Sequence, residues 1–313
     1  MATQTTMSAP ATATSSPLVR ARTYASFVRF EHTLFSLPLI LAGVFSAAGP
    51  ALPASRWVLI ALAAVSARTA AMAMNRLIDR RLDALNPRTQ SRALPSGAMK
   101  GGEAGALLLV AMLAYLAACA ALGPWYLKVS IVPLLVFAGY PYLKRCTPLC
   151  HLGVGAALAL APLAGYAAAH PDLTYPGAAL WLAAFALCWV SGFDIIYATL
   201  DEAFDREYRV HSMVMWLGRR WALRVSGALH LLAWGCFMMA ALAIWITAGP
   251  PLKAGAAAAD AVPWLGGLGV GALLYLEQKW AQNVDLAFFK VNVWVGFAVL
   301  ATVLAIRSGI GGS

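Results

Sequence analysis

Nine mostly apolar stretches recur along the chain, at roughly 27–48, 56–75, 104–122, 125–142, 150–169, 176–199, 220–247, 262–280 and 288–307. Gly, Pro and charged residues punctuate them. Each is close to the ~20 residues that a helix needs to cross a bilayer. The pattern predicts an all-α polytopic membrane protein of nine transmembrane helices. Only Gly123-Pro124 separates the third stretch from the fourth, which predicts a tight helical hairpin there. Residues 1–19 are read as a disordered tail: they are rich in Ala, Thr and Ser, show no periodicity and lack the basic-then-apolar order of a signal peptide. The membrane domain is expected over 20–313.

Composition supports this reading. Hydrophobic residues make up 61% and charged residues only 12%, against about 25% charged in soluble domains. The net charge of +10 would suggest nucleic acid in a soluble protein. Here it follows membrane orientation, and no nucleic-acid partner is expected. Arg20, Arg22 and Arg29 precede the first stretch. Arg76, Arg80, Arg81, Arg88, Arg92 and Lys100 end or follow the second, and Lys144 and Arg145 follow the fourth. Arg206, Arg209, Arg219, Arg220 and Arg224 follow the sixth, and Lys279 and Lys290 flank the loop after the eighth. With nine spans all of these fall on one side, leaving Arg56, Arg68, Lys128, Lys253 and Arg307. Basic loops stay in the cytoplasm. The expectation is therefore a multi-pass inner-membrane protein with a cytoplasmic N-terminus and the C-terminus outside. The five cysteines mostly sit in apolar runs, as small buried hydrophobes do. Cys146, Cys150 and His151 cluster without a recognised metal spacing.

The few acidic residues are not scattered. Asn75, Asp79 and Asp83 stand four apart at the end of the second stretch, and Asp201 and Asp205 repeat that spacing after the sixth. Residues four apart share a helix face, so each cluster is a column of oxygen ligands. Facing carboxylates repel unless a cation lies between them, and hard oxygen ligands suit Mg²⁺, which completes its shell with waters and substrate phosphates. The columns therefore point to a diphosphate bound through Mg²⁺. Asp194 lies one heptad before Asp201 and is expected on nearly the same face, with a buried structural carboxylate as its plainer reading. Glu202 and Glu207 lie off that face. Arg88, Arg92, Lys144 and Arg145 are placed to meet phosphate oxygens, although topology alone also explains basic residues at span ends. An intramembrane transporter is the main alternative, because ionisable groups in spans also mark ion pathways.

The order of these motifs resembles the UbiA superfamily of intramembrane aromatic prenyltransferases. It carries Asn75-x₃-Asp79-x₃-Asp83, Asn86-x-Arg88-Thr89, Tyr142-x-Lys144-Arg145 and Asp194-x₆-Asp201-x₃-Asp205, and the stretch from Phe30 to Pro38 resembles that family's first helix. The resemblance runs from about residue 24 to 307 and is greatest to the 4-hydroxybenzoate polyprenyltransferase type. Arg209-Val210-His211-Ser212 departs from the Gly-x-Lys-Ser of many members and leans towards the menaquinone-pathway relatives, which prenylate a dihydroxynaphthoate. The resemblance implies helices bundled around a central cavity with a cytoplasmic cap. It also implies Mg²⁺-dependent transfer of a polyprenyl group from polyprenyl diphosphate to an aromatic acid, beside the lipid bilayer. Residue by residue, Asn75, Asp79, Asp83, Asp201 and Asp205 match the metal-diphosphate ligands. Arg80 and Arg145 match positions holding diphosphate or the acceptor carboxylate, and Asp194 matches a site aspartate that steadies a carbocation or takes a proton. Arg88, Lys144, Tyr142 and Tyr197 are expected to bind substrate, Tyr197 together with Trp189 and Phe193 as aromatic faces for a cation.

Overall fold

A computed structural model describes residues 17–28, 33–47, 49, 51–248, 256–281 and 291–311. Most of the expected tail, Phe30 to His32 and the positions of Lys253, Lys290 and Ser313 lie outside the described residues. The described chain forms helices: α1 (Pro17–Phe27), α2 (Thr33–Val44), α3 (Ala54–Leu85), α4 (Gly101–Leu122), α5 (Pro124–Val129), α6 (Ile131–Leu143), α7 (Cys150–Ala169), α8 (Gly177–Ala198), α9 (Glu202–Tyr208), α10 (Met213–Leu217), α11 (Arg219–Ala248), α12 (Ala256–Lys279) and α13 (Asn292–Gly311). Helix α1 begins inside the stretch assigned to the tail. Every apolar stretch contains a helix, the fourth being divided at Ser130 into α5 and α6. Among the described residues six units are long and apolar enough to cross a membrane: α3, α4, α5–α6 together, α7, α8 and α11.

Three local features differ from expectation. Helix α3 does not stop near residue 75 but runs 32 residues to Leu85, so the first acidic column rides on an unbroken helix. Helix α8, in contrast, ends at Ala198. The N–H groups of Thr199, Leu200 and Asp201 donate to carbonyls three residues back, at 3.0–3.2 Å, and these tighter bonds close the last turn. Asp201 is then the N-cap of the seven-residue α9. Asp194 and Asp201 therefore do not share one helix face. Finally, Gly123 makes the turn between α4 and α5 at φ +143°, a conformation that only glycine adopts freely, but α6 then leaves α4 to rest on α3 and α7. The turn is tight; the hairpin is not.

Lipid tails are as apolar as leucine, so helices in a membrane associate by close packing rather than by the hydrophobic effect. Gly43 and Gly165 provide this where α2 crosses α7: a Cβ on either would fall 2.0 Å from a carbonyl oxygen of the other helix. Helix α8 is the most buried span. Leu182, Phe185, Ala186, Trp189 and Ile195 are sealed between α7 and α11. Helices α12 and α13 pack on each other and close against α11 and α2.

Candidate active site

A cavity of about 670 Å³ runs inside the bundle. Both Asp83 and Ile60 line it, and their 23 helical steps along α3 correspond to about 35 Å. One end is polar, and the remainder is walled by Ala, Leu, Val, Ile and aromatic side chains.

The first column supplies one wall of the polar end. Asp79 is 2% exposed; its Oδ2 accepts from Lys144 Nζ at 2.6 Å and from Asn75 Nδ2 at 3.2 Å, and its Oδ1 accepts from Arg145 Nη2 at 3.1 Å. Asp83 pairs with Arg92 at 2.7 Å and Arg76 at 3.7 Å. The segment after α3 folds back beneath the column. Thr89 Oγ1 donates to the Asp83 carbonyl at 2.9 Å, and the Arg88 N–H donates to Asn86 Oδ1 at 2.9 Å. From there the segment reaches the second column: Asn86 Nδ2 and Arg88 Nε each donate to Asp201 Oδ1 at 2.8 Å. Arg88 also donates to Tyr197 Oη at 2.7 Å and lies 4.6 Å from that ring's centre. Burial opposes the Arg88 charge, but its hydrogen bonds to Asp201 and the negative charge of Asp201, Tyr197 and Asp83 together outweigh burial and raise its pKa.

Asp205 completes the second column and is buried. No Lys or Arg pairs with it among the described residues. Burial pushes its carboxyl up to about 6 against a hydrogen bond from Ser212. The loop carrying Ser212 is fixed to the end of α6, since the His211 N–H donates to the Lys144 carbonyl at 2.8 Å. Above it, His151 Nδ1 lies 2.7 Å from Asp194 Oδ2, and the Met213 N–H donates to His151 Nε2 at 3.2 Å. With Nε2 facing that backbone N–H, Nδ1 is the ring nitrogen turned to the Asp194 carboxyl.

Of the residues expected from sequence, Asn75, Asp79, Asp83, Arg88, Lys144, Asp194, Tyr197, Asp201 and Asp205 all line this one cavity. Arg80, Tyr142 and Arg145 do not line it. Arg80 and Tyr142 are exposed, because the continuing turns of α3 and the end of α6 carry them outward. Arg145 lies over the Tyr142 ring at 5.2 Å and approaches Asp79 from outside the wall. Glu202 pairs on the surface with Arg206. Sequence reasoning missed His151, which stood in a cysteine cluster, and Arg68, which stood among the stray charges. Arg68 lines the cavity seven residues before Asn75, with its Nε buried and without a partner. A lone arginine within an apolar span was its signal.

The residues suit a metal held jointly with a ligand. Among the described residues no three carboxylates or imidazoles converge as a preformed cage. Mg²⁺ is commonly held by one or two carboxylates with waters and substrate phosphates, and the two columns offer that on facing walls.

The pattern of the UbiA prenyltransferase family matches residues 36–296. The chain belongs to the UbiA prenyltransferase family. It is a prenyltransferase, and the transporter alternative falls. A 4-hydroxybenzoate octaprenyltransferase of Shewanella denitrificans is 30% identical over 294 residues, covering 90% of this chain and 93% of that protein. One from Xanthomonas campestris is 31% identical over 77% of each chain. The apo structure of a UbiA homolog from Aeropyrum pernix superposes with a TM-score of 0.75 at 32% identity, covering 88% of this chain and 97% of that one. A UbiA homolog from Archaeoglobus fulgidus bound to GPP and Mg²⁺ shares the fold at a TM-score of 0.63 and 16% identity, over 89% of this chain and 99% of that one.

Proposed function

We propose that this UbiA protein transfers a polyprenyl group from polyprenyl diphosphate to the ring of an aromatic acid of the 4-hydroxybenzoate type, in quinone biosynthesis. The observation that carries the reading is one cavity with two oxygen-ligand columns and fixed cations at one end and an apolar wall along the rest. The names of the relatives favour 4-hydroxybenzoate over the dihydroxynaphthoate of menaquinone synthesis.

Asn75, Asp79, Asp83, Asp201 and Asp205 are the candidate ligands for Mg²⁺. When bound, Mg²⁺ neutralises charge on the departing diphosphate. Lys144 and Arg88 flank the columns and offer N–H groups to phosphate oxygens. As the allylic C–O bond breaks, its electron pair leaves with the diphosphate. The faces of Tyr197, Trp189 and Phe193 lie where a cation would form, and the apolar wall keeps water from it. The acceptor ring attacks and then loses a proton. Asp194 is the candidate base, oriented by its contact with His151 Nδ1 at 2.7 Å.

The acceptor carboxylate needs a cation that is not already committed. Arg145 is occupied with Asp79 outside the wall, and Arg80 faces away. Arg68, on the wall with an unpartnered Nε, takes that role here. The nine-span arrangement, with a cytoplasmic cap formed by the segments after α3 and α8, belongs to this reading, as does a cytoplasmic N-terminus. A reporter fused after Ser313 that works only in the cytoplasm would contradict the odd span number. The enzymatic test is incubation of membranes carrying the protein with radiolabelled polyprenyl diphosphate, Mg²⁺ and a panel of aromatic acids. Mg²⁺-dependent labelling of 4-hydroxybenzoate supports the reading; no labelled product with any acid overturns it.

A further inference from the structure

Among the described residues, none beyond Ser212 lines the cavity, so α11, α12 and α13 reach it only from behind. They do so at Trp189 of α8. The Trp189 ring lines the cavity beside Phe193, edge to face at 5.7 Å. Its indole Nε1 donates away from the cavity, to Asn292 Oδ1 at the start of α13, at 2.9 Å. The Glu277 carboxyl near the end of α12 faces both partners of that bond, and its Oε2 lies 3.8 Å from His230 Nε2 on α11. Trp189, Glu277, Asn292 and His230 are all buried. Around them the helices are tied together. His230 Nε2 approaches the Trp189 carbonyl at 3.3 Å, and Gln278 Nε2 lies 2.7 Å from Ser226 Oγ and 2.9 Å from His230 Nδ1. Ser226 Oγ donates to the Gly192 carbonyl at 2.7 Å. Gly192 permits this close approach, since a Cβ there would fall 2.4 Å from His230 Cδ2.

We propose that Asn292, backed by Glu277, is a positioning residue for prenyl transfer: it fixes the Trp189 ring on the cavity wall, and that ring sets whether the allylic cation is captured by the acceptor or by water. This rests on the prenyl-transfer reading above. Ionisable groups inside a membrane bundle are costly and mark function by default, and neither ligand column uses Glu277. The rotation of an aromatic ring about its outer torsion is broad on its own. A hydrogen bond from the indole to a buried, fixed acceptor selects one angle. Once the allylic C–O bond has broken, its electron pair has left with the diphosphate. The cation then takes an electron pair from a ring carbon of the acid, which loses its ring proton. Otherwise it takes one from a water oxygen, which loses a proton and yields the prenyl alcohol. A ring held at one angle offers its face to the cation and fills the space that a competing water would need. A ring free to turn does neither.

The test uses the purified full chain with Mg²⁺, radiolabelled octaprenyl diphosphate and saturating 4-hydroxybenzoate, and reads the ratio of octaprenyl alcohol to prenylated acid. Asn292→Leu removes the acceptor at nearly constant volume and should raise that ratio about fivefold, the equivalent of one neutral hydrogen bond. Trp189→Phe should raise it as well. Adding Asn292→Leu to Trp189→Phe should change nothing further, because Asn292 acts through the indole N–H alone. Glu277→Gln keeps the shape of the side chain and should fall between wild type and Asn292→Leu. If Asn292→Leu does not fold, Asn292→Ala removes the same acceptor and carries the same expectation. An unchanged ratio in the folded Asn292 variant overturns the proposal, because a purely structural contact lowers thermal stability and leaves the ratio where it was. An equal rise in the Trp189→Phe background overturns it too. If the wild-type protein yields only the alcohol or no product at all, the functional reading itself has failed, and that result is distinct from a failed Asn292 contact.

Discussion

The two acidic columns look alike in sequence and are built differently. The first rides on an unbroken α3, and each of its carboxylates is met by cations from other segments: Lys144 and Arg145 at Asp79, Arg92 and Arg76 at Asp83. The second straddles a helix break. Asp201 is held by Asn86 and Arg88, which belong to the first half, and Asp205 has a raised pKa and no cation partner among the described residues. Both carboxylates of the first half are thus paired with cations, and the segment that follows them also positions the second half. The shared spacing fits the proposed pair of facing ligand sets, but the elements that carry them differ: one continuous helix for the first, a helix break for the second.

If both columns are required, removing one carboxylate from either should abolish turnover. Asp79→Ala and Asp201→Ala are each expected to lower kcat by about a thousandfold, the scale on which losing a key electrostatic contact to the departing group acts. Mg²⁺-dependent diphosphate release is the measurement. Near-wild-type release in Asp201→Ala alone would leave the first column sufficient and end the two-column account.

The link between the halves comes next. Arg88 and Asp201 should couple by about 1–3 kcal/mol in a double-mutant cycle read by thermal unfolding. Additive effects of Arg88→Ala and Asp201→Ala would mean that the halves are held together elsewhere.

Much of this comparison was legible from the sequence. Four-residue spacing at the ends of apolar runs located both columns, and run lengths located the helices. The sequence did not show that α8 stops at Ala198, because nothing in Tyr197-Ala198-Thr199-Leu200 breaks a helix by propensity; the break lies in three-residue hydrogen bonds formed in the folded chain. It did not separate Lys144 from Arg145 either, since adjacent residues leave a helix end in different directions. Arg68 was misassigned because topology counting treats every arginine alike, whereas a charge within a span is costly unless something uses it.

In the proposed reading Arg68 meets the acceptor and Arg145 supports the first column. Arg68→Ala should raise KM for the aromatic acid by roughly 1.5–3 kcal/mol equivalent, the value of a charge-assisted hydrogen bond, with little change in kcat. Arg145→Ala should leave that KM nearly unchanged and act through Asp79 on the diphosphate side. The reverse pattern would return the acceptor site to Arg145.

The smallest effect concerns protons at Asp205. Its carboxyl is held up at about 6 by burial, and a carboxylate must be deprotonated to bind metal. Above that pH Asp205 is ready as a ligand, and below it a proton competes. The apparent Kd for Mg²⁺ should therefore rise up to about tenfold per pH unit below 6. Saturating Mg²⁺ should flatten the profile. The metal-free fold should show the opposite sign. A group whose folded pKa is raised contributes stability that is complete below its unfolded value and is lost as pH rises through the folded value. Thermal stability without Mg²⁺ should accordingly decline for this group between about pH 4 and 6. Asp205→Asn should remove both dependences. The first column is a sharper control: its carboxylates are already paired with cations, so Asp83→Asn should weaken Mg²⁺ binding without moving the pH at which the Asp205 dependence begins. A midpoint that shifted in Asp83→Asn would mean that the two columns titrate as one unit.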